Sequence, residues 1–188
     1  LVLGFCMGSC TGFSVPVAKY FGAGKLDKMR DYIFNGAALA VLIAAILTTL
    51  CSLLCAPILH LLSVPSDIFA DAYAYQLVIF LGIPFSILYN YLSSILRAVG
   101  DSRTPFLFLA FSAILNIFLD LFCIIILHLG CAGAAIATIS AQAISTAASV
   151  FCSQNLGAGQ AKRIHQGLRQ GVLVGVGYGA FAGVIMIL

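Results

Sequence analysis

Charge is what this sequence has least of. Of its 188 residues only 8% are Asp, Glu, Lys or Arg, while 62% are hydrophobic and the mean hydropathy is +1.13. Soluble domains carry about a quarter charged residues, so a soluble fold is excluded and the chain reads as an integral membrane protein. Strict alternation of polar and apolar residues is missing as well, which excludes a transmembrane β-barrel and leaves a helical bundle. The start shows no basic segment followed by a short apolar core and cleavage site, and residue 1 is Leu rather than Met. The expectation is therefore a chain that begins part-way through a longer protein. Seven cysteines occur without any C-x-x-C spacing. Cys6/Cys10 and Cys51/Cys55 lie four apart, each pair on one helix face, and read as small packing residues rather than metal ligands or redox partners. No nucleophile–base pair or metal motif points to an enzyme.

What is present is a set of six apolar segments, about 1–21, 33–62, 70–96, 105–128, 131–153 and 168–188. Each approaches the 20 or so residues a helix needs to cross about 30 Å of hydrocarbon. Turn residues separate them: Gly22-Ala23-Gly24, Ser63-Val64-Pro65-Ser66, Gly100-Asp101-Ser102-Arg103, Gly130 and Gly157-Ala158-Gly159. The Gly-x-Gly pairs follow no strand, so helix capping explains them better than nucleotide binding. If the chain crosses at every segment, Lys19, Lys25, Lys28, Arg30, Arg97, Arg103, Lys162, Arg163 and Arg169 all fall on one side. Asp67, Asp71 and His128 fall on the other, which holds no Lys or Arg. The positive-inside rule makes the basic side cytoplasmic with both ends outside, and the expected location is the plasma (inner) membrane. The net charge of +3 reports this topology rather than a nucleic-acid partner.

Two weaker patterns accompany the segments. Tyr20–Lys25 and Asn155–Gln160 repeat at an offset of 135, on the same side, as a parallel repeat requires. Small residues recur every fourth position at Gly133, Ala137, Ala141, Ser145 and Ser149, and again at Gly167, Gly171, Gly175, Gly179 and Gly183. Such faces let helix backbones approach closely, here within one chain in preference to a homodimer seam.

The functional suspect is the one acid inside a span. From Phe106 to Leu127 the strongly polar residues are Ser112, Asn116 and Asp120. Asn116 and Asp120, four apart, share a helix face, and a carboxylate in hydrocarbon costs at least a few kcal/mol and usually faces a bundle interior or water. With outer boundaries near Asp67, His128 and Gly130, the residues Tyr75, Asp120 and Thr138 each lie eight residues inward, about 12 Å. They are expected to meet in one layer with Asn116 a turn deeper. Such a cluster suits a proton or Na⁺, since protonation removes an expensive buried charge and can bias which helix arrangement is preferred. A polar network that merely pins helices together is the competing reading. His60, His128 and His165 read as interfacial residues, and Arg97, Asp101 and Arg103 as a solvated turn in preference to a salt-bridged gate.

Several stretches resemble a known family. ILRAVGDSRTP, then NIFLD, then LGCAGAAIATIS, together with YFGAGKLDKMR, AYQLVIFLGIPF and SQNLGAGQAKR, look like the multidrug and toxic compound extrusion (MATE) family over nearly the whole chain. The resemblance implies an all-α, two-lobed secondary antiporter that exports organic cations in exchange for H⁺ or Na⁺, with no other cofactor. In one prokaryotic branch an Asn and an Asp four apart on the fifth helix, a Thr on the sixth and a Tyr on the fourth form the cation site. These fall on Asn116, Asp120, Thr138 and Tyr75. Residues 1–150 would then be a first lobe, helices 2–6, lacking its first helix. Residues 151–188 would be a piece of the second lobe, joined where a two-helix hairpin near 141–150 is missing. A lipid-linked sugar flippase shares the architecture but should show a basic cavity. A passive channel would need polar residues through the whole thickness, where the inner half of 105–128 offers only Ser112, and a nonfunctional structural fragment is the third alternative.

Overall fold

The structure, a computed structural model, describes residues 2–157, with side chains over 4–151. It is all-α and polytopic. The elements are α1 (Val2–Gly22), α2 (Leu26–Leu53), the short α3 (Cys55–Leu61), α4 (Phe69–Leu81), α5 (Ile83–Ala98), α6 (Arg103–Leu121), a π turn (Phe122–Ile126) and α7 (Gly130–Gly157). Among the described residues four helical stretches are long and apolar enough to cross a membrane: Leu26–Leu53, Phe69–Ala98, Arg103–Ile126 and Gly130–Phe151. With α1, whose 21 residues also have the length, they account for five of the six expected segments. The sixth, 168–188, lies outside the described residues, as do the last three positions of the second repeat, 158–160, and the second glycine face.

Prolines set the breaks that the apolar runs conceal. The expected segment 33–62 begins earlier, at Leu26, and divides at Leu54 into α2 and α3. Pro57 causes the division, because its ring crowds the carbonyl of Leu53 four residues back and it has no N–H to donate. The segment 70–96 divides in the same way at Gly82, two residues before Pro84. There the chain stays nearly continuous, with the Gly82 N–H donating to Val78 O at 3.1 Å and the Ser86 N–H to Gly82 O at 3.2 Å.

The turns carry the chemistry read from them. At the end of α1 the Lys25 N–H donates to Tyr20 O and the Gly24 N–H to Phe21 O, both at 3.0 Å, with Gly24 at φ 68°. This is the Schellman cap, in which a residue without Cβ takes the left-handed conformation. The end of α5 repeats it, with Asp101 N–H to Leu96 O, Gly100 N–H to Arg97 O and Gly100 at φ 91°.

The bundle has two seams. In the first, α1 packs on α2 and α5, and the buried face of α1, with Cys6, Cys10 and Val17, meets Ala40 and Ala44 of α2 and Ile87 and Tyr91 of α5. The cysteine pairs behave as small apolar fillers: Cys6, Cys10, Cys51 and Cys55 are all buried free thiols. Tyr91 crosses this seam and donates its hydroxyl to Ile33 O at 2.6 Å, passing directly over Gly36. In the second seam α7 packs against α4, α5 and α6. Its small-residue face points inward, with Gly133, Ala137, Ala141, Ser145 and Ser149 all buried, so that face serves packing within the chain.

Candidate functional site

The site lies along the seam of α6 and α7, where polar groups recur once per turn. Ser145 Oγ donates to Phe108 O at 3.5 Å, Ser112 Oγ to Ala141 O at 3.3 Å, and Asn116 Nδ2 to Thr138 Oγ1 at 3.2 Å. Numbers rise on one helix as they fall on the other, so the helices run antiparallel and the contacts form a ladder. The cause is local: 108, 112, 116 and 120 share one face of α6, and the small residues of α7 bring its backbone carbonyls within reach of short side chains. Sequence reasoning missed the lower rungs, although Ser112 sat in view on the same face as Asn116.

Thr138 is held from both sides. Its hydroxyl accepts from Asn116 and donates to Ala134 O at 3.0 Å, which fixes the rotamer and satisfies the group inside its own helix. One turn above Asn116 the next rung would join Asp120 to the level of Ala134 and Gly133, where α7 offers no polar side chain. Asp120 is accordingly the open rung, with its Oδ1 buried and without a hydrogen-bond partner. The π turn begins two residues later, where the Leu127 N–H donates to Phe122 O at 3.2 Å, five residues back. Such turns widen a helix locally and recur at functional sites. Here the widening faces Gly133, whose missing Cβ would stand 3.1 Å from Cys123 Cβ and 2.9 Å from Leu129 Cβ.

Of the four residues expected to meet, the structure joins Asn116 and Thr138 and sets Asp120 a turn away on the same face. Tyr75 stands apart. It lies on α4, which packs on α7, and the residue is 38% exposed. Among the described residues it makes no hydrogen bond to the other three. The remaining polar residues have local duties. The Asp101 carboxylate accepts from the Thr104 N–H at 3.0 Å and starts α6, while Arg97 donates to Ser94 Oγ at 3.0 Å, so this turn is a cap rather than a gate. His60 stacks on Phe69 with ring centroids 4.6 Å apart, and His165 lies outside the described residues.

Comparison with known proteins places this bundle. The chain is 40% identical over 94 residues to the probable multidrug resistance protein YpnP of Bacillus subtilis (strain 168), covering 50% of this chain and 21% of the relative. It is 35% identical over 133 residues to the probable multidrug resistance protein NorM of Thermotoga maritima, covering 68% and 28%. A 24% identical stretch of 120 residues matches an FAD transporter of Shewanella oneidensis, covering 64% and 26%. The chain thus spans between about a fifth and three tenths of the length of these relatives. A solved inward-facing structure of a multidrug resistance MATE family transporter of the MOP superfamily shares the fold, with a TM-score of 0.77 at 21% identity over 80% of this chain and 34% of that one. The MatE family model matches residues 1–122 and 127–188, nearly the whole sequence, and this chain belongs to the MatE family.

Proposed function

We propose that the chain is part of a secondary antiporter of the plasma (inner) membrane that exports organic cations or other amphipathic drugs in exchange for H⁺ or Na⁺. The observation that carries this is the open rung: a buried carboxyl oxygen of Asp120 without a partner, above the joined Asn116 and Thr138. An ionised carboxylate only accepts, so a vacant buried acceptor suits a proton or a small hard cation. Asn116 and Thr138 hold the wall beneath it, and Tyr75 would join when α4 and α6 approach in another arrangement of the bundle. Residues 1–150 act as part of a first lobe and 151–188 as part of a second, with the basic turns in the cytoplasm. The names of two relatives, both multidrug resistance proteins, favour drugs as cargo.

The test uses two readouts. Reconstituted in vesicles with an inward H⁺ or Na⁺ gradient, the chain is expected to move a fluorescent organic cation, and Asp120→Asn to abolish the flux. Independently, thermal stability of the chain in detergent should change on titration with Na⁺ or with pH, and Asp120→Asn should remove that dependence. Flux that survives Asp120→Asn, or a stability response that does, sinks the assignment. A response in stability without any flux leaves cation binding to this piece and transport to a larger protein.

A further inference from the structure

The turn between α1 and α2 holds a cluster that the transport reading does not use. Tyr20 of α1 and Tyr32 of α2 stack with centroids 5.1 Å apart and ring planes 17° apart. Lys19 Nζ lies 6.0 Å and Lys28 Nζ 5.9 Å from the Tyr20 centroid. Two ammonium groups therefore converge on one ring, one face of which Tyr32 covers. The Schellman cap at Gly24 makes the convergence possible, because it folds the first turn of α2 back beside the last turn of α1.

Each ammonium gains about 0.5–1 kcal/mol from the ring at an exposed site, but the two repel one another. Asp27 and Asp31, the acids closest in sequence, form no ion pair with either lysine among the described residues, so a bound anion would relieve the repulsion. We infer that this turn seats the phosphate headgroup of an anionic phospholipid.

Two further observations select a lipid over a free anion. The cluster stands at the end of membrane-length helices, and large apolar side chains flank it in the open: Val15 is 63% and Phe34 76% exposed. A soluble anion has no use for these surfaces, whereas a phospholipid lays its acyl chains along them. The second turn on the same side differs. Its Arg97 is engaged by Ser94 and its Asp101 by Thr104, so it offers no comparable pair of cations over one ring. General attraction of basic residues to an anionic leaflet is worth about 1 kcal/mol per residue and needs no geometry. The seat is narrower than that, formed by Lys19 and Lys28 over Tyr20 and not by all basic residues alike.

The experiment compares variants of equal charge. The full chain, purified in detergent and stripped of lipid, is titrated with phosphatidylglycerol and, separately, phosphatidylcholine, and retention is read by native mass spectrometry. Lys19→Gln with Lys28→Gln is expected to weaken phosphatidylglycerol retention about tenfold, and Lys25→Gln with Arg30→Gln less than about threefold. Tyr20→Leu should weaken it with all four cations intact. Equal losses in the two double variants would overturn the seat in favour of diffuse charge, as would no preference for phosphatidylglycerol over phosphatidylcholine. Inorganic phosphate competing as well as the lipid would overturn the lipid as occupant. Unchanged helicity of each variant by circular dichroism keeps a loss of fold from imitating any of these results.

Discussion

The helices α7 and α1 both carry small residues every fourth position, and of these two α7 alone buries that face. On α7, Ala137, Ala141 and Ser145 are buried against neighbouring helices, and the ladder to α6 depends on the closeness they allow. On α1, Gly4, Gly8 and Gly12 have the same spacing, yet a Cβ added at any of them would meet nothing within 4 Å. The packed face of α1 is the other one, through Cys6, Cys10 and Val17. Small residues at this spacing therefore permit close approach without causing it. In a bilayer lipid tails are as apolar as side chains, so a face closes only where the facing helix fits its shape and returns its hydrogen bonds.

The largest effect expected from this contrast is at the filled face. Ser145 is fully buried and its hydroxyl reaches the Phe108 carbonyl. Leu in its place must push α6 away and strand that contact, at a cost of about 1–3 kcal/mol from overpacking and more if the ladder opens. Thermal unfolding in detergent measures it. A loss below about 0.5 kcal/mol would mean the seam is loose and the contrast with α1 unreal.

Next in size is the crossing of Tyr91 over Gly36. A Cβ at Gly36 would stand 2.8 Å from Tyr91 Oη, the atom that donates to Ile33 O. Gly36→Ala should cost about 1–3 kcal/mol by displacing that hydroxyl, and Tyr91→Phe about 0.5–1.5 kcal/mol by removing it. The double variant should cost less than the sum, because the phenyl ring leaves room for the methyl group. Additive losses would show that the ring and not the hydroxyl fills the space above Gly36.

Much of this was legible in the sequence, and the parts that were not share a cause. Hydropathy located the spans because membrane length and the expense of buried charge are strong constraints, and the Gly24 and Gly100 caps followed from the one conformation glycine holds most easily. Asn116 and Asp120 were correctly set on one face by their spacing. The start of α2 at Leu26 was hidden because its first turns carry Asp27, Lys28, Arg30 and Asp31, a solvated end that an apolar window excludes. The breaks at Leu54 and Gly82 were hidden because hydropathy does not register a missing N–H. Tyr75 was set in the layer by depth and by the family resemblance, and depth says nothing about which way around its helix a residue faces. The Gly133–Ser149 face was expected to pack within the chain and does, whereas spacing alone does not mark the glycine face of α1 as open.

A smaller effect sharpens the ladder itself. Thr138→Val keeps the shape but leaves the Asn116 amide without its acceptor. Hydrogen bonds between membrane helices average about 0.6 kcal/mol, so a modest drop is expected. Asn116→Leu should then cost less when combined with Thr138→Val than it does alone, since the partner is already lost. A full additional loss would mean that Asn116 serves some other group.

The smallest expected effect is the one that decides the contrast. Gly8→Leu on α1 adds a large side chain where open space now stands, replaces a poor helix former by a good one, and so should leave stability within about 0.5 kcal/mol or raise it. The same side chain introduced at Ser145 is expected to be the most damaging of the set. If Gly8→Leu instead destabilises the chain as much, something covers the α1 face in the membrane, and cross-linking from Gly8→Cys would identify whether it is a second copy. The two faces would then obey one rule, and the difference between them would lie in which partner closes each.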